Sequence, residues 1–447
     1  MELWSWQDPY LREVVWFALC CRAATLLLQA LFNLLIPDHA ADAFSPPRLS
    51  EAGPWDAVVE RLLGGLSRWD AEHFLFIAER GYLYEHNCAF LPLYPLSLRA
   101  AAAGLLWPLG RLLRARSRLL LAAAGLSSLC SVLAAAALYG LGRAVLRSRP
   151  VAFLAALLFS LSPASVFLAA AYSESMFACL AFGAMWQLER GQSWLSGLLF
   201  CLASGVRANG LLNAGFLLYS RGKRFALRLQ AAPGSVGKLP PLWKQLLSLA
   251  SSAVLDSYWD VGFLRYFKLR QIPNFLLALP VTLLGSWAAW TYVTANPRHC
   301  LTLGLERRKS EEGKPRAGFC SPALFVYVVH ATALLVFGFF CMHVQVLTRF
   351  LGSSSPILYW FSAHLLQEHE PLLRSEGTGD QTVAPHTEKS LLASPDGSRC
   401  RGTPENPLVR LLLNYRLITP LSKCLLGFFL SYWLLGLMLH CNFWPWT

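Results

Sequence analysis

The sequence predicts an all-α, polytopic transmembrane helical bundle whose first luminal loop contains an amphipathic helix. Three observations carry this. Of 447 residues, 55% are hydrophobic and 15% charged, whereas soluble domains carry roughly a quarter charged residues. The apolar residues gather in blocks of about 20, the length that crosses the hydrocarbon layer as a helix. These blocks are continuous and lack the alternation of a barrel strand.

The elements follow in order. Residues 14–35 form a first span with one charge, Arg22. The run is too long for a cleaved signal peptide, and the residues before it lack a basic cluster, so it reads as a retained anchor. Further spans are expected at 119–141, 151–171, 194–219, 272–295, 322–342 and 424–440, with shorter apolar stretches at 93–110, 175–188 and 353–366. The segment 194–219 is expected as two half-helices broken around Gly205-Val206-Arg207-Ala208-Asn209-Gly210. A charge at mid-membrane is costly unless it lines a cavity, and glycines ease a break there.

Loop charge orients the bundle. The net charge of +13 lies mostly in short loops beside spans, a positive-inside signature rather than a nucleic-acid surface. Residues 36–92 hold nine carboxylates against four arginines, and this first loop is placed outside the cytoplasm. The stretches 143–149, 221–244 and 297–316, together with Arg410, Arg416 and Lys423, are placed in the cytoplasm. Two tensions arise. If 143–149 is cytoplasmic, only one of 93–110 and 119–141 crosses; 93–110 is the shorter, which leaves the basic stretch 111–118 on the luminal side. Between 221–244 and 297–316 an even number of spans is needed. Only 272–295 is long enough, because the apolar piece 245–255 is too short to cross. Residues 367–407, rich in Ser, Thr, Glu and Gly with five prolines, are expected as a disordered cytoplasmic linker within a single membrane domain.

The 12 cysteines show no C-x-x-C pair, so neither a zinc site nor a disulfide framework is expected. In the first loop, Trp55, Val58, Val59, Leu62, Leu63, Leu66 and Trp69 recur at helical spacing, the pattern of a helix lying in the membrane interface. It leads into Arg68-Trp69-Asp70-Ala71-Glu72-His73-Phe74, where Asp70, His73, Phe74 and Ile77 share a helix face. Asp70 is then either a general base at the membrane surface or the cap of that helix. Pro92 and Pro95 mark re-entry of the chain into the membrane. Tyr172 and Glu174 suit sugar hydroxyls, although Glu174 also suits the first turn of a helix. Arg207 suits a lipid phosphate. Tyr258-Trp259-Asp260 is a further aromatic–carboxylate pair, and Asp260 equally suits a cap. His343, Gln345 and Arg349 are expected to line a short structural turn.

Read together, these residues resemble the GPI mannosyltransferase 2 family. The resemblance runs from the first span to Cys441-Asn442-Phe443-Trp444-Pro445-Trp446-Thr447. It is carried by Leu35-Ile36-Pro37-Asp38-His39, Ala43-Phe44-Ser45-Pro46-Pro47-Arg48-Leu49, Gly64-Gly65-Leu66-Ser67-Arg68-Trp69-Asp70-Ala71-Glu72-His73-Phe74, Tyr172-Ser173-Glu174, and the run from Gln345 to Ser354. The family implies a bundle of GT-C type in the endoplasmic reticulum membrane. It implies an inverting, metal-free and cofactor-free transfer of mannose from dolichyl-phosphate mannose to the first mannose of the GPI precursor, in α-1,6 linkage. On that resemblance Asp70 becomes the base, with Arg68, Glu72, His73, Tyr172, Glu174, Arg207, Asn209 and Asp260 as substrate contacts. The expected partners are the two lipid-linked substrates, with any small membrane-protein partner left open. Between Arg221 and Gln271 the chain is shorter than the family pattern, at the place where the span count fails. A transporter of lipid-linked sugars and a catalytically impaired form are the competing readings; no internal repeat supports the transporter.

Overall fold

The computed structural model describes residues 7–47, 53–231 (backbone only over 227–231), 264, 266–304, 317–374, 405–444 and 446. Every regular element among them is helical. We number the principal helices α1 (Pro9–Leu35), α2 (Pro54–Leu63), α3 (Asp70–Arg80), α4 (Leu93–Ala103), α5 (Ala115–Leu146), α6 (Arg149–Ser160), α7 (Glu174–Glu189), α8 (Ser193–Val206), α9 (Ala214–Ala231), α10 (Ile272–Ala295), α11 (Phe325–Cys341), α12 (Leu347–Ser354), α13 (Ile357–His369) and α14 (Pro420–Cys441). Among the described residues, five stretches are long and apolar enough to span a membrane: Pro9–Leu35, Ala115–Leu146, Leu269–Ala295, Pro322–Cys341 and Pro420–Cys441. The protein is a helical membrane protein.

The helix ends follow local chemistry. Asp8 caps α1 by accepting from the Tyr10 N–H, and Pro9 stands at its first turn. Thr419 caps α14 by accepting from the Ser422 N–H. α5 runs through the centre with Ala134, Ala135, Ala136 and Ala137 all buried, so neighbouring backbones approach closely.

One end of the bundle gathers basic groups. Arg143 pairs with Asp8 at 2.6 Å, Gly318 N–H donates to the Leu146 carbonyl, Tyr219 reaches the Leu303 carbonyl and Asn406 donates to Glu13. The opposite end carries the acidic loop, and Arg114, Arg116 and Arg118 lie there too. The Arg114 N–H donates to Asp56, Arg116 pairs with Glu72, and Arg118 donates to the Ala102 carbonyl. The guanidiniums of Arg116 and Arg118 are thus satisfied locally. α4, with 11 residues, is too short to cross.

Two expectations need correction. Residues 151–171 are not one span. α6 stops at Ser160, and 161–173 fold as buried turns. Arg22, buried in the middle of α1, explains how. It donates to the Ser160 and Ser165 carbonyls at 2.9 and 3.1 Å and to Ser165 Oγ at 2.5 Å. A helix that ends inside a membrane exposes carbonyls that lipid cannot satisfy, and a guanidinium supplies the donors. The 367–407 segment is ordered at both ends. Glu370 accepts from the Thr419 N–H at 3.0 Å and Asn406 caps a short helix, Pro407–Leu413. Residues 375–404 lie outside the described residues.

The segment 194–219 is broken, as its sequence indicates. α8 ends at Val206, Arg207 is extended (φ −146°, ψ 141°), and Ala208–Asn213 form a 3-10 turn into α9. The chain doubles back so tightly that a Cβ on Gly210 would lie 2.6 Å from the Ser204 Cα. Phe200 stacks on Phe216 across the hairpin at 6.0 Å. α9 thus returns to the basic end, whereas Leu264 N–H donates to the Phe340 carbonyl near the loop end. The described chain therefore changes face between these two points, and the 245–255 piece falls outside the described residues.

Candidate active site

The acidic loop forms a roof over the bundle. Gln29 and Asn33, on the last turns of α1, donate to the Leu62 and Arg61 carbonyls at 2.5 and 2.8 Å and hold the end of α2. Trp55, Val58 and Leu62 of α2 are exposed and Val59 and Leu63 pack inward, so this helix offers an apolar side to the interface. Asp56 also points inward. It is buried, accepting from the Gly53 and Arg114 N–H groups, and anchors α2 to the start of α5. The connector Gly64–Ser67 is buried against the end of α14; a Cβ on Gly65 would stand 2.8 Å from the Cys441 Cβ.

That connector delivers Trp69 with φ 59° and ψ −130°, a left-handed conformation in a bulky residue. Such a backbone is strained and persists only where its surroundings enforce it. It makes Asp70 the first residue of α3, without a capping hydrogen bond from a side chain. The Asp70 carboxylate is therefore not spent on the helix. Its Oδ2 accepts from Arg349 Nη2 at 3.1 Å, and its Oδ1 takes no hydrogen bond among the described residues.

Arg349 extends the arrangement. Its Nε lies 4.0 Å from Glu174 Oε1, and Glu174 in turn meets Arg207 Nη1 at 2.6 Å. Arg207 Nη1 also donates to Ser173 Oγ at 3.3 Å. The result is a line of alternating charge, Asp70–Arg349–Glu174–Arg207, drawn from α3, α12, α7 and the break after α8. Glu174 is 1% exposed, and its Oε2 has no hydrogen-bond partner. The Arg349 guanidinium lies over the rings of Phe167 (5.0 Å) and Tyr172 (5.6 Å). Burial works against its charge, but Asp70 and Glu174 outweigh that and raise its pKa. Near the same break, Asn209 donates to Ser354 Oγ at 2.8 Å at the end of α12.

The structure thus brings together Asp70, Tyr172, Glu174, Arg207 and Asn209 from the expected residues. Tyr172 is buried, its hydroxyl donating to the Arg68 carbonyl at 3.4 Å. Three others are engaged elsewhere. Arg68 pairs with Asp38 at 2.8 Å and reaches the Cys441 carbonyl and Asn33. Glu72 pairs with Arg116. His73 is clamped between Phe44 (4.3 Å) and Phe90 (4.8 Å), with Nδ1 3.2 Å from Asn87 Oδ1. Asp260, with Tyr258 and Trp259, lies outside the described residues.

The expected turn of His343, Gln345 and Arg349 also reaches distant elements. Gln345 accepts from the Tyr266 hydroxyl at 3.1 Å, and Arg349 is the hub of the charged line. Its signal in the sequence is the single charged residue of the short helix Leu347–Ser354. Only the folded arrangement reveals the carboxylates that it meets. Among the described residues no three His, Cys, Asp or Glu side chains gather as a metal site.

A helical membrane bundle with a charged, largely buried cluster beneath its acidic loop is a framework that can house an enzyme's site. The profile of the mannosyltransferase (PIG-V) family matches residues 11–233 and 229–447, and the chain belongs to that family of glycosyltransferases. It is 53% identical to GPI alpha-1,6-mannosyltransferase 2 of Rattus norvegicus over 502 residues, covering 98% of this chain and 99% of the relative. The protein of the same name from Homo sapiens is 51% identical over 500 residues, covering 99% of each. GPI mannosyltransferase 2 of Drosophila melanogaster is 30% identical over 416 residues, covering 78% of this chain and 90% of the relative. No solved structure matches the chain. The alignment to the rat protein is longer than this chain's 447 residues, and the family match breaks into two pieces that meet at 229–233. The relatives thus carry residues that have no counterpart in this chain.

Proposed function

We propose that this chain is a GPI α-1,6-mannosyltransferase, moving mannose from a lipid-phosphate donor, dolichyl-phosphate mannose, to the first mannose of the GPI precursor. The observation that carries the chemistry is the Asp70–Arg349–Glu174–Arg207 line under the loop roof. Arg349 fixes one oxygen of Asp70 and leaves the other open toward an acceptor hydroxyl. In the reaction, Oδ1 takes the proton as the acceptor oxygen forms its bond to the anomeric carbon. The bond from that carbon to the lipid phosphate breaks, with inversion. The departing phosphate takes up negative charge, and Arg207, which is one-fifth exposed while paired to Glu174, is placed to meet it with Arg349 behind. Glu174 keeps the two guanidiniums apart and oriented. The exposed apolar side of α2 sets two lipid-anchored substrates at one depth, which turns a search in volume into a positioned encounter.

In this reading the acidic loop faces the lumen of the endoplasmic reticulum and the basic end faces the cytoplasm. The bundle is of GT-C type. The segment missing relative to the family favours a second reading, a form of the enzyme with impaired turnover. Expression of this chain in cells that lack surface GPI-anchored proteins separates the two. Restored surface staining supports the transferase. No rescue, together with rescue by a version carrying the relatives' segment at 229–233, supports the impaired form, and failure of both removes the transferase reading.

A further inference from the structure

The C-terminal end of α14 closes in a way its sequence does not favour. The Phe443 N–H donates to the His440 carbonyl and the Trp444 N–H to the Leu439 carbonyl, which is the Schellman closure of a helix. The residue at its turn must be left-handed and is ordinarily glycine. Here it is phenylalanine, with φ 58°. A bulky residue in that conformation is an outlier, and such outliers mark places where a side chain is needed.

The Phe443 ring has a definite task. It lies 4.6 Å beneath the Arg68 guanidinium and meets the Trp69 ring edge-on at 5.7 Å. Trp69 is the other strained residue of this region, the one that sets Asp70 at the start of α3 uncapped. Two left-handed aromatics therefore brace each other one residue from the proposed base. The tail is locked in turn. The His39 N–H donates to the Asn442 carbonyl at 2.9 Å, Trp444 stacks on His39 at 4.4 Å, and the Cys441 carbonyl accepts from Arg68. We propose that Phe443 is a positioning residue, its ring holding Trp69 in the strained backbone that aims Asp70 at the acceptor. The inference rests on the transferase reading for its kinetic consequence, and on geometry alone for the placement of residue 70.

Phe443→Gly is the informative variant, because glycine suits the closure better than phenylalanine. The variant is expected to accumulate and to melt like the parent chain in detergent. Its kcat, measured with dolichyl-phosphate mannose and a GPI-precursor acceptor, is expected to fall by about tenfold or more, with KM for the donor unchanged. Phe443→Tyr, which keeps the ring, is expected to retain the parent kcat within about twofold. An F443G chain with the parent kcat overturns the proposal; so does a loss of activity matched by an equal loss of folded protein. A second arm needs no turnover. In D70C chains, the rate at which a polar maleimide labels residue 70, followed by peptide mass spectrometry, is expected to change severalfold on adding F443G and to stay unchanged on adding F443Y. An equal labelling rate with and without the ring also overturns it. If the parent chain itself shows no transfer, the functional reading fails and the labelling arm still decides the positioning.

Discussion

Arg349 Nη2 donates to Asp70 Oδ2 at 3.1 Å, joining residues 279 positions apart in the chain. This bond brings α12 to the start of α3 and fixes one oxygen of a carboxylate that the helix itself does not use. Asp70→Asn removes the base and keeps the shape. It is expected to cut mannosyl transfer by at least about a hundredfold while the protein accumulates normally. Assay of membranes with labelled donor checks this, and full retained activity would remove Asp70 from the mechanism.

Arg349 serves two carboxylates, so its substitutions should separate charge from shape. Arg349→Lys keeps the charge but loses the fork, and transfer is expected to drop on the order of tenfold to a hundredfold. Arg349→Ala also weakens the support of buried Glu174 and is expected to destabilise the fold by about 3 kcal/mol. Thermal aggregation in detergent measures the second effect independently of activity. Equal stability of the two variants would show that Glu174 relies on Arg207 alone.

Arg22→Met keeps an unbranched side chain but removes the guanidinium, which leaves the Ser160 carbonyl without its side-chain donor and the Ser165 carbonyl with the Leu168 N–H alone. A loss of roughly 1–3 kcal/mol per unsatisfied group is expected, with Arg22→Lys intermediate. The comparison is made by melting temperature, and an unchanged value for Arg22→Met would mean that other groups satisfy those carbonyls.

Gly210 tolerates no Cβ, because the Ser204 backbone occupies that space. Gly210→Ala is expected to cost about 1–3 kcal/mol by forcing the α8–α9 hairpin apart. It should also reduce transfer, since Arg207 and Asn209 sit in the same turn. Gly222→Ala, in open space on α9, is the control that should change neither.

His73 gives the loop a defined acid sensitivity. Burial between Phe44 and Phe90 lowers its pKa; Asn87 and Asp70 pull the other way, and His86 adds to the lowering. A folded value below the unfolded one, about 6.5, means that the fold prefers the neutral ring. The stability it contributes is present above pH 6.5 and is lost as pH falls through the lowered folded value. His73→Phe keeps the stack and should flatten the acid side of a melting temperature–pH profile. An identical acid slope in the variant would assign the loss to other groups.

Much of this was legible before folding. The apolar blocks announce α1, α5, α10, α11 and α14 because lipid demands continuous hydrophobicity. The break at Arg207 showed because glycine and charge coincide there. What stayed hidden depends on distant partners. The stop after Ser160 is set by Arg22, 138 residues earlier, and nothing local to 151–171 records it beyond Pro163. Arg349 reads as one arginine in a turn until α3 and α7 bring Asp70 and Glu174 to it. Asp56 falls outside the apolar stripe of its helix, and its acceptor role serves a backbone N–H at Arg114, which has no signature in side-chain type.

The Arg22 clamp also constrains how the protein is made. α1 is synthesised first and carries a guanidinium whose acceptors, at 160 and 165, emerge from the ribosome 138 and 143 residues later. A lone arginine at the centre of a nascent span disfavours insertion by roughly 2.5–3.5 kcal/mol. Until α6 arrives, the first span must be kept out of bulk lipid by the insertion machinery or sit shallow with its arginine toward water. Biogenesis is thereby ordered in time: α1 reaches its final depth only after α6 has followed it.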